Sequence, residues 1–218
     1  MGKIQRLLSL NLFQFIHYNF LCRRVVRDRG KYIFPRWHSC IEFSKSARIN
    51  LHGSLYLNQN KYPRSRAECY LRLRDGAVLT VTGSVLLMYN GTIEIHKNAE
   101  LQIGKCTIQS NAVIICAYKM TLGEGCLFAR MSYISDSDHH RVLDRDGNVT
   151  NYPRETVIGN HVWVGVKATV MKGSKIKNGA VIGADSLVSG HVKEHQFLMT
   201  EPARAFSDIS WSTDGFNT

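Results

Sequence analysis

The stretch Val157-Ile158-Gly159-Asn160-His161-Val162-Trp163-Val164-Gly165 decides the fold. Ile158 and Val164 lie six positions apart, and the same beat continues through Val170, Ile176, Ile182 and Val188. Four positions after each of these residues but the last comes a second beat, Val162, Ala168, Ser174, Ala180 and Ser186, mostly small. A helix buries residues at a spacing of about 3.6 and a strand at a spacing of about two, so a strict period of six is neither alone. It fits short strands joined by tight turns, three to a coil, wound into a prism with the aliphatic residues inside. The small residues then point into corners where little room is left. Such self-similarity is the sequence sign of a solenoid.

Upstream the beat is weaker. Leu122-Gly123, Phe128 and Ile134 keep it, and short apolar runs such as Leu79-Thr80-Val81, Thr92-Ile93-Glu94-Ile95 and Leu101-Gln102-Ile103-Gly104 read as strands. Residues 31–75, which include Pro35 and Pro63, read as an irregular cap with degenerate first coils, and the β-helix proper is expected over 76–205. Residues 1–30 read as an amphipathic helix, with Leu8, Leu12, Phe15, Ile16 and Phe20 on one face. That face can pack on the open end of the solenoid or on a neighbouring subunit. Alternatively the helix lies on a membrane surface, with Arg23, Arg24 and Arg27 toward lipid phosphate. The stretch is too interrupted by Asn11, Gln14, His17 and Asn19 to read as a membrane span. Residues 206–218 read as a tail.

The formal net charge is +11, with 44% apolar and 21% charged residues. Such a chain can bury a core, and its positive charge suits an anionic partner. Nucleic acid is not the expected one, because no basic run with interleaved aromatics and no nucleic-acid module occurs. The six cysteines, at 22, 40, 69, 106, 116 and 126, form no Cys-x-x-Cys pair. They read as reduced thiols of a cytoplasmic protein, packed as small apolar side chains.

The beat breaks once. Between Ile134 and Ile158 stands Ser135-Asp136-Ser137-Asp138-His139-His140-Arg141-Val142-Leu143-Asp144, followed by an Asp146-Gly147 turn signal. The gap equals four hexads, so the coil is expected to resume on the same corner after a loop over 135–156. A polar loop on a rigid scaffold is a common place for chemistry. Its adjacent histidines could act as a base, since a neutral imidazole suits proton transfer at neutral pH. A carboxylate such as Asp138 can orient it. His96, His139, His140 and His161 could together raise the question of a metal, yet nothing in their spacing makes a ligand set.

The phrase Val157 to Gly165 and the hexads after it resemble the hexapeptide-repeat acyltransferases, and the match is strongest over about residues 95–205. The resemblance implies an all-β fold, a left-handed parallel β-helix, usually assembled as a homotrimer with active sites between prisms. The loop of glycan-modifying members is similar to Asp138-His139-His140-Arg141-Val142-Leu143-Asp144 when His140 takes the catalytic position, with His139 as the rival. The family's use of acetyl-CoA implies cofactor contacts at Trp163, at Ala184 and Ser189 in Ile182-Gly183-Ala184-Asp185-Ser186-Leu187-Val188-Ser189, and at Arg204 in Glu201-Pro202-Ala203-Arg204. Thr200 stands where the family usually has glycine, and Gly190-His191-Val192-Lys193 departs from its usual Lys-Asp-Val-Pro. No metal is implied.

The loose likeness of the N-terminal region is to the O-acetyltransferases of bacterial capsule and other surface polysaccharides. The expected activity is therefore O-acetylation of a surface glycan or its lipid-linked precursor, in the cytoplasm at the inner face of the membrane. N-acylation of an amino or nucleotide sugar is the alternative enzyme, and a non-catalytic β-helix scaffold the alternative class.

Overall fold

The computed structural model describes residues 9–62 and 64–200. Three parallel sheets form the faces of a prism. The first has eight strands, from Val25–Arg27 to His191–Val192; the second has eight, from Ile33–Pro35 to Phe197–Leu198; the third has seven, from Ser39–Phe43 to Leu187–Val188. Every strand pairs in parallel with those one coil before and after it. This is the expected all-β, left-handed parallel β-helix.

Register shows why the aliphatic beat specifies it. On the first sheet Leu51, Val81, Ile103, Leu122, Ile158, Ile176 and Val192 stack in one inward column. The second sheet stacks Ile108, Phe128, Val164 and Ile182, and the third Ile93, Ile114, Ile134, Val170 and Val188. All of these are buried, as are the small corner residues Ala168, Ser174, Ala180 and Ser186. Removing such a set of apolar side chains from water is the main stabilising contribution.

Three expectations need correction. The β-helix does not begin near residue 76. Val25–Arg27, Ile33–Pro35, Ser39–Phe43, Arg48–Leu51 and Leu55–Gln59 already form coils in register with those that follow, so the first coils expected there are present, begin before residue 31 and belong to the β-helix proper. Strands there have three to five residues instead of two, which stretches each coil and hides the hexad.

Nor does one helix run to residue 30. The described helical turns are Leu12–Ile16 and a π-helical turn His17–Leu21, and the β-branched Val25-Val26 then starts the first sheet. The π-turn rotates the apolar face. Asn19 is buried and exchanges hydrogen bonds with Ile33, donating from Nδ2 to its carbonyl at 2.8 Å and accepting from its N–H at 2.8 Å. It thus closes the open edge of the second sheet as a neighbouring strand would. Leu12, Ile16 and Phe20 are exposed, so within one chain this face does not pack on the end of the solenoid. Leu8 and the tail 206–218 lie outside the described residues.

The coil does not resume on the same corner after the loop. Ile134 belongs to the third sheet and Ile158 to the first, the next face in the winding. The loop therefore replaces an ordinary corner and leaves the register of the prism intact. All six cysteines are free thiols, and burial pushes Cys69 up to about 12, so it stays a protonated packing group.

Candidate active site

The loop leaves the third sheet after Tyr133–Ser135 and rejoins the first at Thr156–Ile158. Its base is fixed by Asp136. This fully buried carboxylate accepts from the Ala117 N–H at 2.6 Å and the Tyr118 N–H at 2.9 Å, one coil below. Charge-assisted bonds to backbone donors are strong and satisfy groups that the corner would otherwise leave unpaired. Asp136 is a positioning residue that the sequence reading did not single out. Its one signal was its place, immediately after a strand and at the start of a polar run.

Outward, the loop is a small hairpin. Leu143 bridges Val149 in antiparallel fashion, and Asp144 accepts from the N–H groups of Asp146 at 2.9 Å and Asn148 at 2.8 Å. These bonds hold the Asp144 carboxyl below its ordinary range. The middle of the loop is tied to the following coil. Asp138 is bonded to the Lys172 ammonium, and it accepts from Asn151 Nδ2 at 2.9 Å. The hydrogen bonds from Lys172 and Asn151, with the charge of Lys172, depress the Asp138 carboxyl. The same Asn151 amide donates to the His140 carbonyl at 2.8 Å.

The two histidines are placed differently. His139 has φ +64, a conformation that favours glycine. Its Nε2 lies 2.9 Å from the Tyr133 hydroxyl and 3.3 Å from Ser135 Oγ, and its ring packs 5.6 Å from that of His96. Burial lowers the His96 imidazole from its ordinary value against the opposing charge of Glu94. His140 differs: neither of its ring nitrogens hydrogen-bonds to a described residue. Both histidines line a cleft of about 430 Å³ with Ser137, Arg141, Asn151 and Tyr152.

The expected site residues do not form one group within a protomer. His140, Asp138 and Ser189 lie along the edge where the third sheet turns into the first. Trp163, half exposed, stands on the second sheet, and the exposed Ala184 follows that sheet at its edge toward the third. The Asp138 carboxylate is engaged by Lys172 and Asn151 and not by the His140 ring; the His140 N–H donates instead to the Asp138 backbone carbonyl at 2.8 Å. Arg204 lies outside the described residues. No cluster of metal-ligating side chains occurs among the described residues.

Residues 155–190 match the family described as bacterial transferase hexapeptide (six repeats). The repeat is that of the hexapeptide transferases. The polysialic acid O-acetyltransferase of Neisseria meningitidis is 33% identical over 82 residues, 36% of this chain and 38% of its own. The galactoside O-acetyltransferase of Escherichia coli K12 is 29% identical over 128 residues, 58% of this chain and 59% of its own. The chain spans about half the length of the curated relatives it matches. A solved structure of the polysialic-acid-specific acetyltransferase NeuO aligns over 88% of this chain and 85% of its own, with 22% identity and a TM-score of 0.48. The hexapeptide match begins at the end of the loop and runs through the coils after it, so the repeat and the histidine pair are adjacent parts of one scaffold.

Proposed function

We propose that this protein transfers an acetyl group from acetyl-CoA to a hydroxyl of a carbohydrate of the bacterial surface or of its lipid-linked precursor, with His140 as general base. The hexapeptide repeat and relatives named as O-acetyltransferases support the reaction class. The single observation that carries the assignment is the free imidazole of His140, held by its backbone in a cleft on a rigid prism. His139 has its Nε2 occupied by Tyr133 and Ser135 and serves as wall.

Acetyl-CoA supplies the acyl group as a thioester. Exposed Trp163, Ala184 and Ser189 are each accessible to it, and they fit an elongated thiol arm better than a compact ligand. His140 takes the proton of the acceptor hydroxyl as the oxygen bonds to the acyl carbon, and returns it to the sulfur when the carbon–sulfur bond breaks. Because Trp163 and Ala184 stand on a different edge from His140, the complete site joins two copies of the chain in a homotrimer. Mass-spectrometric detection of acetyl transfer to a panel of surface glycans and nucleotide sugars tests this reading. Transfer to an oxygen of one acceptor, lost in His140→Ala, is expected. Transfer to an amine identifies the N-acylating alternative, and failure to bind acetyl-CoA identifies a scaffold.

The N-terminal turns favour contact with an anionic membrane. Phe13 is 81% exposed and Leu12, Ile16, Phe20 and Leu21 are exposed beside it, with Arg23 and Arg29 at the surface. An apolar face flanked by cations is the pattern of an interfacial helix. No helix among the described residues is long and apolar enough to cross a membrane. Flotation with anionic vesicles, but not with zwitterionic ones, is expected, and Phe13→Ser with Leu21→Ser should abolish it.

A further inference from the structure

The third sheet carries a second cleft, of about 630 Å³, at its N-terminal end. It is built from outward positions of three neighbouring strands and one side of the helical turn. Cys40, Tyr70 and Thr92 align in one row, and Glu42, Arg72 and Glu94 in the next. The rows continue without a break to the loop, through Val113 and Ile115 to Tyr133 and Ser135. From the strand of Tyr133 to that of Cys40 is four inter-strand steps, roughly 19 Å at the spacing of a sheet.

The charged groups of this cleft are set in place. Arg72 Nε lies 2.5 Å from Glu42, and its guanidinium reaches Glu94 at 3.6 Å. Glu94 also accepts from Arg74 at 2.6 Å and touches His96 at 3.4 Å, and His96 packs on His139. Burial alone would raise the Glu94 carboxyl, but Arg74 and the other cations hold it below its ordinary value. A chain of fixed polar groups therefore runs from the histidine pair into the cleft. At its far wall Gln14 Nε2 donates to the Ser39 carbonyl at 3.0 Å, while Gln14 Oε1 is buried with no donor. Tyr70 presents an exposed ring over the same space.

Fixed carboxylates and an exposed aromatic ring suit a ligand with many hydroxyls and apolar ring faces. Glu42 and Glu94 are matched by Arg72 and Arg74, so the cleft carries no cationic excess although the chain's net charge is +11. It does not favour a polyanion. We propose that this cleft is a remote subsite for an uncharged oligosaccharide, whose reacting unit lies at His140 while later units cross Tyr133 and Thr92 to reach Tyr70, Glu42 and Gln14. The assignment of the reacting end rests on the acetyl-transfer reading above; the cleft itself does not.

Labelled protein, without acetyl-CoA, is applied to an array of neutral and anionic bacterial oligosaccharides graded from monosaccharides to octasaccharides. Binding should favour the neutral series and strengthen at least about tenfold from monosaccharide to tetrasaccharide. Tyr70→Ala and Glu42→Ala should each weaken the longer ligands about tenfold, while Tyr70→Phe retains them. Both positions are exposed, so neither change threatens the core. In acetyl transfer the same variants should raise KM for long acceptors and leave monosaccharide kinetics unchanged. Binding without length dependence, preference for anionic chains, or variants that bind as the unmodified protein does would each overturn the subsite. Intact array binding with no acetyl transfer to any glycan would overturn the enzymatic reading and spare the cleft.

Discussion

The ammonium of Lys172 is bonded to the carboxylate of Asp138, 34 residues away in sequence. The contact ties the middle of the excursion loop to the next coil of the prism, and Asn151 completes it by accepting from the same ammonium at 3.0 Å. An otherwise exposed loop is thereby given one geometry.

Lys172→Met should loosen the loop without unfolding the protein. A partly exposed ion pair contributes about 1 kcal/mol or less to stability, so the melting temperature should hardly move. Hydrogen exchange over residues 138–151 should quicken, and KM should rise more than kcat falls. The pH dependence has a definite sign. Asp138 is depressed in the folded protein by its bonds to Lys172 and Asn151, so its contribution is full above the unfolded carboxylate pKa of about 3.9 and is lost as pH falls through the folded value. Loop protection should thus stay level from neutral pH down to about 4 and collapse below it. In Lys172→Met the level should be lower and the collapse should start nearer to pH 4.

His140→Ala and His139→Gly should separate the roles of the pair. Loss of a general base lowers kcat by about 10² or more. His139 occupies a left-handed conformation, φ +64, that glycine adopts without strain. His139→Gly should therefore keep most of the transfer rate. Steady-state kinetics on one acceptor decide it; the reverse pattern would move the base to His139.

Asp136→Ala should be the most damaging single change in the loop. It leaves the Ala117 and Tyr118 N–H groups without their acceptor in a buried corner. Losing two charge-assisted bonds of this kind costs about 3 kcal/mol or more. Thermal unfolding should fall by several degrees, with catalysis lost through the loop's position and not through any contact with substrate.

Much of this was legible in the sequence, and the part that was not has a physical reason. Ile158 to Val188 announce the prism because coils of two-residue strands keep the period of six strictly. Before Leu122 the strands lengthen, so the step from Val81 to Ile103 exceeds three hexads and the same inward column passes unnoticed. The π-turn at His17–Leu21 shifts the helical periodicity by one position, which is why Asn19 and not Phe20 faces the core. The loop and its histidines were visible as a break in the beat. The tie between Asp138 and Lys172 was not, because a stacked coil brings together residues whose separation depends on the loop between them.

A column of glycines at the corner between the first and second sheets makes a further prediction. A Cβ on Gly83 would lie 2.3 Å from the Lys105 N–H nitrogen, and one on Gly53 would lie 2.0 Å from the Gly83 carbonyl oxygen. Both obstacles are backbone of the next coil, which cannot shift without opening the sheets on either side. Gly83→Ala should cost more than the roughly 1 kcal/mol typical of point changes, and it should lower expression and melting temperature together. The same substitution at Gly147, where nothing lies within 4 Å, is limited to the strain of φ +83.

The placement of His140 and Ala184 on different edges allows the shared site to be tested by mixing two inactive chains. Ala184→Arg should block the thioester and His140→Ala should remove the base, so each homogeneous protein should be inactive. If a site takes His140 from one copy and Ala184 from its neighbour, co-expression restores some pairings with both residues intact. In random equal assembly about one quarter of the sites recover, and the regained rate per site should match the unmodified protein. A site contained within one chain gives no such recovery, since every chain carries one lesion. Titrating the ratio of the two variants should trace a maximum at equal amounts, and a flat line at zero would place both residues in the same protomer's site.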